Sequence, residues 1–206
     1  MAESGRRTKS LVANFAKWSE TRHEYIDFLM DDTDPGLWWI RIRDLTGEFT
    51  GGEYIVEMRA PLKYPFEPPE FYFKTPTGVY GIDTKICISI GEFHKDKFAA
   101  AQGGMGGFAL QLINGIIYWQ NLGHGIAILN SEYYSANKNR RNEMEPVLKS
   151  KMAILARESM DWNRAKYPNL VAKFDNLPFN KVARVCFGLP YSSRCIGIMK
   201  KYLSSV

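Results

Sequence analysis

The sequence predicts an α+β fold, on three observations. Apolar and polar residues alternate in four short segments between Tyr25 and Lys74, joined by short turn-rich connections. An apolar face at helical spacing comes before them, and two more come after. Strands grouped together, with helices at both ends, make an antiparallel meander with segregated helices.

Ser10 is a candidate cap for a first helix running to about Ser19, whose Leu11, Phe15 and Trp18 share one face. Tyr25 to Met30 is the first strand. Asp34-Pro35-Gly36 turns the chain, with proline and glycine where a tight turn wants them. Trp38, Ile40 and Ile42 then alternate with Trp39, Arg41 and Arg43. Gly51-Gly52 closes the next turn, and Tyr54, Val56 and Met58 alternate with Ile55, Glu57 and Arg59. The corner Tyr64-Pro65-Phe66-Glu67-Pro68-Pro69 cannot lie within a sheet, because proline removes ladder donors. It turns the chain into a fourth strand, Glu70 to Lys74, and Tyr64–Pro65 is its candidate cis bond.

Phe108, Leu112, Ile113, Ile116 and Ile117 predict a second helix, and Leu148, Met152, Leu155, Ser159 and Trp162 a third. The glycine cluster 103–107 lacks the Lys-Ser/Thr of a phosphate loop and reads as a flexible connector. Phe179, Val182, Cys186 and Leu189 suggest a short extra helix after a break at Asn176-Leu177-Pro178. The expected division is therefore a domain over 1–175 and an extension over 176–206, helical in part.

Composition narrows the function classes. The chain has 206 residues, 45% of them hydrophobic, enough for one sizeable core. The net charge of +5 gathers at the ends and over Lys138–Arg141. It fits a solvated surface or an acidic partner, and nucleic acid is not expected because the aromatics fall in strands. Three cysteines and no secretory signal point to a reducing compartment, cytoplasmic or nuclear. No run is long and apolar enough for a membrane anchor. No CxxC or HxxxH spacing supports a metal, and no cofactor motif is present.

The loop after the fourth strand reaches Cys87 within Lys-Ile-Cys-Ile-Ser-Ile. A free cysteine is most often a small buried hydrophobe. The histidines that would activate it, His23, His94 and His124, sit in no protease signature.

The order of parts resembles the ubiquitin-conjugating enzymes: a four-strand meander, a YPxxPP corner, a cysteine in a (K/R)-(I/L)-C-(I/L)-x-(I/L) setting, then a helix. TPTGVY, CISI and EFHKDKF are similar to the T-P-N-G-x-F, C-L-S-I and D-F-H-P-D-x-W of that family's tail-anchored endoplasmic-reticulum branch. The resemblance covers about residues 10 to 175 and implies a UBC-like fold. It makes Cys87 the nucleophile that carries ubiquitin as a thioester. The incoming acyl group is already activated, so a strong base is not essential, and the thiolate is the attacking species.

Further roles follow from the resemblance alone. Thr77 stands where the family places an asparagine that donates to the oxyanion. A hydroxyl can donate once as well. His94 matches the branch's histidine, a candidate base toward an acceptor group, and Ser89 replaces an acidic residue of many lysine-modifying members. Phe66 matches the corner residue that meets ubiquitin ligases; the other reading of its place is that it covers the sheet edge. Arg6, Arg7 and Lys9 are the candidate contacts to the activating enzyme. The family's W-x-P-A motif reads Phe98-Ala99-Ala100-Ala101, without its proline. Implied partners are ubiquitin, its activating enzyme and a ubiquitin ligase. A non-catalytic UBC-like scaffold that binds ubiquitin or a ligase is the alternative.

Overall fold

The computed structural model describes residues 2–19, 22–23, 25–86, 104–122, 136–177 and 182–183. Helix α1 (Ala2–Ser19) precedes a two-residue strand β1 (Arg22–His23). Strands β2 (Ile26–Met30), β3 (Leu37–Ile42), β4 (Tyr54–Arg59) and β5 (Glu70–Phe73) form one antiparallel sheet in chain order. Helices α2 (Gly104–Leu122), α3 (Lys138–Lys166) and α4 (Pro168–Asp175) follow. This is the UBC-like α+β architecture expected from the sequence.

The meander's register follows from its two faces. Phe28, Ile40 and Val56 lie in one cross-strand row and are all buried. Trp38 lies two pairs further, opposite Met30 and Met58, and is completely buried against Phe15 of α1 and Phe28, both edge to face. Each large side chain buried in this way contributes about 2–3 kcal/mol, and a one-residue slip would turn the whole set to water. At the β2–β3 turn, Asp31 accepts the Thr33 and Asp34 N–H groups, and Asp34 accepts that of Gly36. These local acceptors fix the turn that Pro35 and Gly36 announce.

Helix α1 begins eight residues before Ser10, so Ser10 is not its cap. The glycine cluster is not a flexible connector. Gly104 opens α2 with a positive φ, and Met105 to Ala109 are buried. A side chain at Gly106 would collide with the Trp18 ring. Glycine is required there because the two helices approach closely, and Asn14 Oδ1 accepts the Gly106 N–H at 3.3 Å.

Helix α3 starts at a cap, with Asn137 Oδ1 accepting the Arg140 N–H at 3.0 Å. Its buried polar residues join the sheet's end. Ser159 Oγ accepts the Glu53 N–H at 2.8 Å, and Asn163 donates to the Glu53 carbonyl at 2.8 Å. Asn163 Oδ1 also accepts the Thr75 hydroxyl at 2.6 Å, whose oxygen takes the Ile55 N–H. The chain breaks at Tyr167, Pro168 starts α4, and α4 folds onto the outer sheet face. There Arg41 meets Asp27 at 3.0 Å, Asp175 at 2.5 Å and the Phe174 carbonyl at 3.1 Å.

Val182–Ala183 form a short strand, β6, parallel to β1, rather than part of a helix. Pairing to a neighbouring segment outweighs the helical spacing read from single residues, and the rest of that segment lies outside the described residues.

Candidate active site

The site is approached from the proline corner. Tyr64–Pro65 is cis, as expected from the sequence. Tyr64 is buried under the corner, whereas Phe66 is 81% exposed and Leu62 is 90% exposed. The corner thus presents two apolar side chains to solvent, and Phe66 does not cover the sheet edge.

After β5 the chain is laced back to that strand. The Asp83 N–H donates to the Phe73 carbonyl at 2.9 Å, and the Ile86 N–H donates to the Phe71 carbonyl at 2.9 Å. Tyr72 and Lys85 face each other in an antiparallel bridge. After a turn at Asp83, whose φ is positive, Lys85 and Ile86 lie along the open edge of β5, and Ile86 buries its side chain in the core. This fixes the backbone up to the residue before Cys87. Cys87, His94, Ser89 and the segment 98–101 lie outside the described residues.

Two devices shape the intervening loop. Thr77 is 1% exposed, and its hydroxyl oxygen accepts the N–H groups of Val79 at 3.1 Å and Tyr80 at 2.8 Å. Its proton points to the Tyr80 carbonyl at 3.5 Å. The hydroxyl is thus spent on a turn, and donation to an oxyanion would need it to leave that turn. Gly78, with φ +80°, packs on the Met152 backbone of α3, so the loop rests on the long helix. Tyr80 stacks on Phe73 at 4.6 Å, and burial raises the pKa of its hydroxyl. Sequence reasoning missed Gly78 and Tyr80, although a glycine after Pro-Thr and a lone aromatic in a polar loop both signal a fixed turn.

The outward face of this edge is charged. Lys85 Nζ lies 2.7 Å from Glu70 Oε1, and the Tyr72 hydroxyl donates to Glu70 Oε2 at 2.6 Å. Burial first, then the bond to Glu70, raises the Tyr72 pKa. Lys74 pairs with Glu57 at 3.0 Å and also with Asp83. Burial lowers its pKa, but hydrogen bonds to those carboxylates outweigh this and leave it raised. Arg59 pairs with Glu57 and lies over the Tyr72 ring at 5.1 Å. Charges of both signs thus interlock from β4 to the chain entering Cys87.

The basic residues of α1 divide. Arg6 and Lys9 are exposed. Arg7 is instead a structural bolt: Nε donates to the Pro61 carbonyl at 2.9 Å and Nη2 to that of Ala60 at 2.8 Å. Gly36 leaves the room it needs. Its guanidinium is occupied within the fold, unlike the free contact expected from the sequence.

Among the described residues no group of three or more histidine, cysteine or acidic side chains could hold a metal. None of their helices is long and apolar enough to cross a membrane.

No protein-family model matches the chain. It is 45% identical over 51 residues to ubiquitin-conjugating enzyme E2 32 of Arabidopsis thaliana, covering 25% of this chain and 16% of that one. It is 38% identical over 53 residues to ubiquitin-conjugating enzyme E2 J2 of Homo sapiens, covering 26% and 20%. Over 129 residues it is 26% identical to ubiquitin-conjugating enzyme E2 6 of Debaryomyces hansenii, covering 63% and 45%. The matched stretches thus span less than half the length of these relatives. The chain is a homologue of ubiquitin-conjugating enzymes, as its motifs imply.

Proposed function

We propose that this homologue of the ubiquitin-conjugating enzymes accepts ubiquitin on Cys87 and passes it to a protein acceptor, in a reducing compartment, cytoplasmic or nuclear. The Cys87 thiolate attacks the thioester carbonyl of ubiquitin held by the activating enzyme. The new C–S bond replaces the old one, and the activating enzyme's thiolate leaves. An acceptor amine or hydroxyl then attacks the Cys87 thioester, the Cys87 thiolate leaves, and the acceptor's proton goes to solvent or to a base, for which His94 is the candidate.

The observation that carries this reading is the seating of Ile86. It is buried and hydrogen-bonded to Phe71, which fixes the backbone immediately before the thiol. The exposed pair Leu62 and Phe66 supports a ligase contact at the proline corner. Arg6 and Lys9 are the remaining candidates for the activating enzyme.

The test is incubation with activating enzyme, ubiquitin and ATP, read on a non-reducing gel. A thiol-sensitive adduct should form, vanish in Cys87→Ala and persist in Cys186→Ala and Cys195→Ala. No adduct with several activating enzymes and modifiers would sink the enzymatic reading. The non-catalytic scaffold is then favoured by Thr77, whose hydroxyl is taken up by its own turn. That scaffold would bind ubiquitin or a ligase equally well as the Cys87→Ala variant.

A further inference from the structure

Helix α3 carries two unlike faces. Met152, Ala156, Ser159 and Asn163 are buried on one of them. At about 100° per residue, Val147 and Ile154, two turns apart, point almost the opposite way. Val147 is 68% exposed, and among the described residues only Leu62 and Phe66 exceed it as large apolar side chains. Ile154 is 44% exposed. Pro146, Ser150, Lys151 and Leu155 complete a surface hollow around the pair. Left in water, these side chains add little to the stability of the single chain.

Charges flank the apolar pair, and they differ at its two ends. Arg140 and Glu143 stand toward the helix N-terminus, 3.2 Å apart. Arg157, Glu158 and Asp161 stand toward the C-terminus, and all five are exposed. We propose that this face docks a second copy of the chain, with the two α3 helices antiparallel about a twofold axis between Ser150 and Lys151. This goes beyond the reading of Cys87 and does not depend on it.

The register follows from the axis. Val147 of one copy meets Ile154 of the other, twice over. A twofold axis also keeps like flanks of the helices together. Arg140 then reaches Glu158 on one flank, with Asp161 opposite it, and Glu143 reaches Arg157 on the other flank. A surface that binds its own copy must complement itself, and this one does so only when antiparallel. A parallel pairing sets Arg140 against Arg140 and aligns the helix dipoles unfavourably. Lys151 is the one poor contact, because it lies beside the axis and meets itself. The stretch from Arg140 to Asp161 is about 31 Å long and about 10 Å wide, or about 300 Å² per copy. A standard interface buries about 800 Å² per partner, so this dimer is transient and depends on concentration.

The experiment is sedimentation velocity of the full chain under reducing conditions, from about 10 μM to about 1 mM, where so small an interface dissociates. The weight-average sedimentation coefficient should rise with concentration toward that of a dimer. Val147→Ser combined with Ile154→Ser should remove the rise and leave the melting temperature unchanged, since both side chains lie outside the core. Arg140→Glu should weaken association, and adding Glu158→Arg to it should bring association back. Lys151→Leu should tighten the dimer at least about threefold by removing a like-charge contact. A monomer at every concentration overturns the proposal, as does a dimer indifferent to Val147→Ser and Ile154→Ser. A charge swap that fails to recover association overturns the antiparallel register, and the proposal with it.

Discussion

Arg7 of α1 donates to the carbonyl of Pro61 at 2.9 Å, bolting the first helix to the turn that follows β4. A second bond reaches Ala60 at 2.8 Å, so one side chain satisfies two carbonyls that no strand pairing serves. Arg7→Ala should therefore cost about 1–3 kcal/mol of stability, because charge-assisted hydrogen bonds in a part-buried site are lost. Arg6→Ala and Lys9→Ala should shift the melting temperature little. If those two residues recruit the activating enzyme, they should slow charging while Arg7→Ala acts mainly through folding. Equal stability for all three variants would show that the Arg7 bolt carries no energy.

The contact between α1 and α2 is equally specific. Gly106 faces the ring of Trp18, and a β-carbon there overlaps the indole. Gly106→Ala should cost roughly 1–3 kcal/mol through overpacking, although alanine is the better helix former. Chemical denaturation of the full chain measures this. An unchanged or raised midpoint would mean that the helices separate at no cost.

These two positions show how much could be read before the structure. Period-two alternation with a large aromatic in each strand announced the meander, because only one register buries Trp38, Val56 and Phe73 together. The YPxxPP corner announced its own cis bond, since proline leaves few backbone options. The apolar Ile86 of the Lys-Ile-Cys-Ile-Ser-Ile run is buried, while Cys87 lies outside the described residues. Arg7 was legible only as a charge, because its carbonyl partners are more than fifty residues away in the chain. The glycine cluster looked loose because a missing side chain reads as freedom, whereas here it makes room for Trp18. Glu70 and Lys85 were invisible as a pair because their contact depends on the antiparallel bridge across β5. The helical spacing read from the sequence ends at Trp162, so the separate helix that Pro168 starts was not anticipated.

Stability should depend on pH through Glu53. Burial raises its pKa, and Arg41, at 3.7 Å, only partly counters this. A carboxyl with a raised folded pKa binds its proton more tightly in the native state. Its stabilising contribution is full below the unfolded pKa and is lost as pH rises through the folded one. Glu53→Gln should flatten the fall in stability just above the normal glutamate range. Asp31 has the opposite sign: hydrogen bonds, led by the Thr33 hydroxyl, lower its pKa, so its contribution fades as acid is added. Denaturation midpoints collected across pH 3 to 7 separate the two. An unchanged slope in Glu53→Gln would show that water relieves that burial.

Thr77 carries the sharpest test of the proposed chemistry. Its hydroxyl oxygen holds the turn through Val79 and Tyr80, and only its proton, 3.5 Å from a carbonyl, remains weakly engaged. Thr77→Ala leaves two N–H groups without that acceptor and should cost about 1–3 kcal/mol. Thr77→Ser keeps the oxygen and should restore stability. Charging transfers an acyl group already seated in the activating enzyme, so it should follow stability alone. Discharge develops negative charge on the Cys87 thioester oxygen, and a good donor there is worth on the order of 3 kcal/mol in acyl transfer. If Thr77 donates, Thr77→Ala should slow discharge beyond any effect on charging. Thr77→Asn should speed it, and a tenfold gain equals about 1.4 kcal/mol. The measurement is single-turnover loss of preformed thioester to lysine, serine or hydroxylamine, beside the melting temperature of each variant. If discharge tracks stability across Ala, Ser and Asn, Thr77 is a turn residue and the oxyanion donor lies elsewhere.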